Sequence, residues 1–273
     1  LYIWLVRFVN QVKEGHVFDL SAQLAFYFLL MFVPFLLVGL ALLSFFPIDG
    51  QLLLQYVSAV TPGEVDTIIE RNEEMLLDVR HGGFLSFGLI VAVFATSNSL
   101  HATIRALNLA HEAEEERSFF HIRALSILFA LLIIGAILVQ LVLPFFIVTL
   151  DDYVARAFQI PGAALASWEW LVWAVSTATV FSVLALLYKL GPNVELTLKQ
   201  VAPGALFATF GWQLSSFGLS FYVKNIASLN FLHGTLSSVI ILMIWFYLVG
   251  FVLLTGGQIN ALQVKKTKPD FID

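Results

Sequence analysis

Within SNSLHATIRALN, residues 97–108, the polar residues Ser97, His101, Arg105 and Asn108 recur at i, i+4, i+8 and i+11. On an α-helix they fall within a sector of about 80°. The guanidinium of Arg105 would attract anionic headgroups or solutes. The stretch follows FLSFGLIVAVFAT, which is apolar on every face. Four polar residues on one stripe of such a helix belong against other helices or water, not lipid. The stripe therefore reads in two ways. It is a hydrophilic path entering from the cytoplasm, or a seam of helix–helix hydrogen bonds with Arg105 and Asn108 at the interface.

The elements that must position these residues are set by composition. The chain has 273 residues, 59% hydrophobic and 12% charged, with mean hydropathy +0.89. A soluble domain of that length has no way to hide so much apolar surface. Six blocks are long enough to cross a bilayer core, which needs about 20 residues: Leu24–Phe46, Phe84–Ile104, Ala124–Leu150, Trp170–Tyr188, Val201–Val223 and Thr235–Leu262. None holds Asp, Glu, Lys or Arg, each of which would cost about 3 kcal/mol at mid-span. The blocks lack the alternation of barrel strands. The expected fold is an all-α membrane protein with six transmembrane helices, in one domain over 1–273. The opening, 1–20, is interrupted by Arg7, Asn10, Gln11 and Lys13 and reads as an amphipathic helix at the cytoplasmic interface. The chain begins on Leu1 and is expected to be trimmed there.

Loop charge sets the orientation. Arg7, Lys13, Arg105, Arg117, Arg123, Lys189, Lys199, Lys265, Lys266 and Lys268 fall on one side of a six-span arrangement, and only Arg71, Arg80, Arg156 and Lys224 on the other. The positive-inside rule then puts both termini and the tail, 263–273, in the cytoplasm. The outer loop over 47–83 carries Val65, Ile68, Ile69, Leu76 and Val79 at helical spacing and is expected to hold short helices, as a packed cap or a lid.

Other residues have structural expectations. Gly204, Ala208, Gly211, Ser215 and Gly218 line one face of the fifth block, where a neighbouring backbone can approach. Pro34 and Pro144 each remove a backbone hydrogen bond and are expected to kink the first and third spans. Gln23 and Tyr27, His101 and Arg105, and Gln258 and Asn260 come from three cytoplasmic span ends and could converge on a vestibule.

Enzyme signatures are weak. HEAEE at 111–115 imitates a zinc-binding HExxH, but Glu115 stands where the second histidine is needed and the segment reads as a charged loop. The chain has no cysteine, so thiol chemistry is excluded. No phosphate-binding loop, dinucleotide fingerprint or serine elbow occurs, and the basic residues are too scattered to read nucleic acid. No metal or other cofactor is expected, and the chain is expected not to be an enzyme.

SAQLAFYFLLMFVPFLL (21–37), FATSNSLHATIRALNLAH (94–111), the stretch from Tyr188 to Asn225 and LHGTLSSVIILMIWFYLVGFVLLTGGQINA (232–261) resemble the YihY / virulence factor BrkB family of bacterial inner-membrane proteins. The resemblance covers nearly the whole chain in order. It implies six transmembrane helices and a bacterial cytoplasmic membrane. The family was once labelled ribonuclease BN, a label that finds no catalytic residues here. Where the family reads G-A-E-L-N, this chain has Gly256-Gly257-Gln258-Ile259-Asn260, whose amide at Gln258 cannot titrate; His233-Gly234 replaces a usual Tyr-Gly. The resemblance and the polar stripe together lead to the expectation of a transporter or translocase for a small solute or lipid-like amphiphile, with membrane lipids as partners and self-association left open. The alternative is a structural or scaffolding protein of the cell envelope that transports nothing.

Overall fold

The computed structural model describes residues 2–43, 82–158, 168–225 and 235–267. Among them every element is helical: α1 (Tyr2–Glu14), α2 (Val17–Leu43), α3 (Gly82–Ala110), α4 (Phe119–Phe158), α5 (Trp168–Leu190), α6 (Leu198–Asn225) and α7 (Thr235–Thr267). Each apolar block of the sequence lies in its own helix as far as it is described. Among the described residues three helices are long and apolar enough to cross a membrane, over Phe119–Gln140, Trp170–Leu190 and Val239–Lys265. Phe8–Glu14 with Val17–Phe32 makes a fourth if that bent pair is one span. The expected outer loop lies, except for its last two residues, outside the described residues. The expected tail begins as a continuation of α7, which stays helical to Thr267.

One bend of the chain falls where there is no proline. Pro34 lies inside α2 and Pro144 inside α4, and both helices continue past them. The break is at Gly15-His16, where α1 and α2 meet at 55°. His16 sits at φ 48° and Gly15 N–H closes the last turn onto Gln11 C=O at 2.8 Å. A left-handed residue after the last turn is the usual way a helix is stopped without a proline. The α1 segment is two-faced, with Val12 buried and Val9, Asn10, Lys13 and Glu14 exposed.

The helices pack as a ring in chain order, α2 on α3, α3 on α4, α4 on α5, α5 on α6 and α6 on α7, closed by α7 on α2. Contacts of α7 with α3 cross the ring. Two apolar clusters result, and α3 is the wall between them: Leu100 and Leu107 pack with Phe129, Tyr188 and Val201, whereas Ala102 and Ala106 pack with Leu24, Phe28 and Phe246. Outside, Trp170, Trp173, Leu214 and Phe217 are exposed, as lipid-facing residues are. Gln213 donates to Thr177 Oγ1 at 2.7 Å and Gln140 to Ser176 C=O at 3.2 Å, tying α6 and α4 to α5. In lipid such bonds supply what apolar burial does not.

α6 and α7 approach each other closely. Thr197 and Gln200 start α6 as a capping pair, Gln200 Oε1 accepting from Thr197 N–H at 2.9 Å and hydroxyl at 2.8 Å. One turn on, a Cβ at Gly204 would collide with Gly256 C=O and the Asn260 side chain, and a Cβ at Gly211 with Val252. Ala208 is buried between them, Ser215 Oγ bonds back to Gly211 C=O at 2.8 Å, and Gly218 has nothing within 4 Å. The small face thus meets α7 over its first half only. Tyr188 of α5 is fully buried and its hydroxyl donates to Leu253 C=O at 2.6 Å. Tyr188→Phe is expected to lower stability by about 1 kcal/mol, read as a lower midpoint of thermal unfolding in detergent.

Candidate functional site

The polar stripe of α3 is divided by the wall that α3 forms. Ser97 is 0% exposed and Asn108 4%, while His101 is half-buried and Arg105 is exposed. A sector of about 80° is wider than one neighbour covers on a helix with packed clusters on both sides. A narrower face gathers the exposed members. Phe94, Asn98, His101 and Arg105 stand at i, i+4, i+7 and i+11, within about 60°. From α4, Arg123 NH1 donates to Asn98 Oδ1 at 2.7 Å, and its guanidinium carbon lies 4.5 Å from the centre of the Phe94 ring. Asn98 and Arg123 are the members that sequence reasoning missed. The spacing of Asn98 was legible, but Arg123 counted as a loop charge, whereas it lies in the second turn of α4.

Asn108 belongs to a different structure, a clasp between two loops. Its Nδ2 donates to Glu115 Oε2 at 2.7 Å and its Oδ1 accepts from Asn193 N–H at 2.7 Å. Arg117 closes on Glu115 with Nε and NH2, each at 2.7 Å, and reaches Gly191 C=O at 2.8 Å and Leu190 C=O at 3.3 Å. Asn193 Nδ2 returns to Glu114 C=O at 2.9 Å. The α3–α4 loop is thereby fastened to the α5–α6 loop. The Arg117 hydrogen bonds hold the Glu115 carboxyl at about 2, against an opposing effect of burial, with Asn108 helping. HEAEE forms this turn, with Glu112 at φ 53° and bonded to Lys265 of α7 at 2.7 Å. Burial, and then Lys265, hold His111 at about 4, so its imidazole is neutral at physiological pH. Beside the clasp an open groove of about 400 Å³ runs along Lys189, Pro192, Asn193 and Glu195.

The remaining candidates do not share one open space. Gln23 is exposed and Tyr27 half-buried, but Gln258 is 2% and Asn260 0% exposed. Gln258 lies over Gly15, where a Cβ would strike its amide. Asn260 Oδ1 accepts from Gly204 N–H at 2.8 Å. Other buried polar atoms without a hydrogen-bond partner among the described residues are spread over three helices: the hydroxyls of Thr96, Ser97 and Ser99 on α3, Ser126 on α4 and Thr255 on α7, with Gln258 Oε1 and Asn260 Nδ2. A buried polar group left so costs about 1–3 kcal/mol. Among the described residues no group of three His, Asp or Glu is arranged to hold a metal ion.

The comparisons agree with a membrane-resident bundle. The sequence profile described as Virulence factor BrkB matches residues 8–271. The chain is 38% identical over 251 residues to a ribonuclease-like protein, YfkH, of Bacillus subtilis, covering 92% of this chain and 91% of that one. It is 24% identical to a UPF0761 membrane protein of Pseudoalteromonas translucida, over 94% of this chain and 85% of the relative. It is 26% identical to another, of Photobacterium profundum, over 94% and 80%. No solved structure matches. With the profile spanning almost its entire length and its apolar helices packed into one bundle, the chain belongs to the BrkB virulence factor family and is a helical membrane protein.

Proposed function

We propose that this chain is a translocase of the bacterial cytoplasmic membrane that moves a lipid-like amphiphile or a small polar solute. In this reading it has six spans, both termini in the cytoplasm and no catalytic step. The observation that carries it is the set of unpartnered buried polar atoms on α3 and on the two helices packed against it, α4 and α7. A seam with satisfied hydrogen bonds resists opening, because each bond must be given up. The unpartnered atoms on α3 and α7 give up none of them and gain hydration or contact with a polar solute when α3 and α7 part. His101 and Arg105, one and two turns along α3 from Ser97, stand at the cytoplasmic approach to these atoms. Transport then alternates between the closed arrangement and an opened one.

The non-transporting alternative has its own observation. Ser97 is sealed and Asn108 is consumed by the loop clasp, as in a bundle that only holds its shape. Proteoliposomes decide between the two. With fluorescent phosphatidylglycerol and phosphatidylcholine analogues as probes, and a fluorescent anionic solute in parallel, the wild-type protein is expected to accelerate transfer of at least one. His101→Ala with Arg105→Ala is expected to slow it on the order of tenfold, the loss of one charge-assisted contact. Transfer no faster than in protein-free vesicles, for all three probes, would favour the alternative. Because the chain lacks cysteine, Ser97→Cys adds an internal check: position 97 is buried, so labelling by a water-soluble maleimide requires α3 to part from its neighbours.

A further inference from the structure

The face formed by Phe94, Asn98, His101 and Arg105 with Arg123 holds none of the unpartnered buried groups, although His101 and Arg105 also serve the proposed function. Two guanidinium groups come to one exposed surface there, and among the described residues no carboxylate bonds either of them. Arg123 spends one N–H on Asn98. A guanidinium carries five, so four remain without an acceptor among the described residues. Glu115, the acidic group felt by His101, is taken up by Arg117 and Asn108. His121 is a further exposed, basic residue on the first turn of α4.

The surroundings are apolar. Ile90 is 68% exposed one turn beyond Phe94, itself 60% exposed, and Phe120 is 82% exposed at the start of α4. Asn98 lies about 18 Å along α3 from Ala110, at 1.5 Å per residue. Arg105 lies about 7.5 Å from the same end, so the group reaches from near the end of α3 up the helix, with exposed Phe94 and Ile90 beyond it. A guanidinium held beside an exposed apolar surface needs an anion or water at its free edge. The planar fork of arginine matches the oxygens of a phosphate. An occupant that satisfies both the charge and the exposed Ile90 and Phe94 must carry an anionic head and apolar chains.

We propose that the outward face of α3 and α4 is a binding site for the headgroup of an anionic phospholipid, with Arg105 and Arg123 on the phosphate, Asn98 fixing Arg123, and Phe94 and Ile90 against the acyl chains. The site stands whether or not the lipid is then moved, because occupancy and transfer are read separately. The full chain in detergent, titrated with phosphatidylglycerol or phosphatidylcholine and followed by native mass spectrometry, tests it. Wild type is expected to retain phosphatidylglycerol in preference to phosphatidylcholine. Arg105→Gln is expected to lower that retention about five-fold, and Arg105→Gln with Arg123→Gln by more than ten-fold, at about a factor of five per arginine. Arg105 is exposed and bonds no described residue, so its single variant folds, and phosphatidylcholine retention serves as the folding control. Excess inorganic phosphate is expected not to displace the lipid. Equal retention of both lipids by wild type, or unchanged phosphatidylglycerol retention by the single and double variants, overturns the proposal. Displacement by inorganic phosphate also overturns it, in favour of a soluble anion site.

Discussion

Gly204→Ala is expected to destabilise the protein by about 3 kcal/mol. The added methyl meets Gly256 C=O and the Asn260 side chain. A carbonyl of a packed helix cannot rotate away as a flexible side chain can, so α6 and α7 must separate. Overpacking of this kind costs about 1–3 kcal/mol. The separation also stretches the 2.8 Å bond from Gly204 N–H to Asn260 Oδ1, a buried bond worth about 1 kcal/mol or more. The helix preference of alanine over glycine, about 1 kcal/mol, offsets only part of this. Gly218→Ala is the internal control, because nothing lies within 4 Å of a Cβ there, and it should be neutral or slightly stabilising. The readout is the midpoint of thermal unfolding in detergent. Equal midpoints for the two variants would show that α6 and α7 do not approach each other as described.

Arg117→Met is expected to cost about 2 kcal/mol and to change the acid response. Its side chain is 15% exposed and that of Glu115 24%. Removing one member of a buried pair costs about 3–5 kcal/mol, and the residual exposure places this pair below that range. Four acceptor contacts go at once, two to Glu115 and one each to Leu190 and Gly191. The Glu115 carboxyl is held at about 2 against an ordinary 4.5. Its contribution is therefore complete above pH 4.5 and is lost as pH falls toward 2. In wild type, stability should fall through that window. In Arg117→Met the fall should be smaller, because the largest cause of the depression is gone. Unfolding midpoints measured down that pH range, with Glu115→Gln and the double variant completing a cycle, test the assignment. Identical pH profiles would remove the clasp as a stabilising device.

Gly204 and Arg117 mark the two sides of what could be read in advance. Gly204 was legible: small residues at i, i+4 and i+7 on an apolar helix announce a close neighbour. The partner, Gly256 with Asn260, was not, because both residues carry equally good signals for other roles. Arg117 was visible only as a loop charge. Its bonds run to Leu190 and Gly191, 73 and 74 residues away, and no periodicity reports a separation of that kind. Asn108 shows the same limit. Its place on the helix stripe was right, yet its amide turns to the loop that follows.

That the chain is an all-helical membrane protein, and which blocks form its helices, follows from the residues taken segment by segment. Transfer of apolar residues out of water and exclusion of charge from hydrocarbon are properties of each segment in isolation, so composition and period suffice. It took the packed bundle to put the break at Gly15-His16, to make α3 the wall between two clusters that splits Ser97 from Arg105, and to join Arg123 to Asn98. Those outcomes depend on which helix lies beside which, and at what rotation. A hydrogen bond weakens steeply away from short range and a near-linear angle, so partners are chosen by that geometry after the helices have formed.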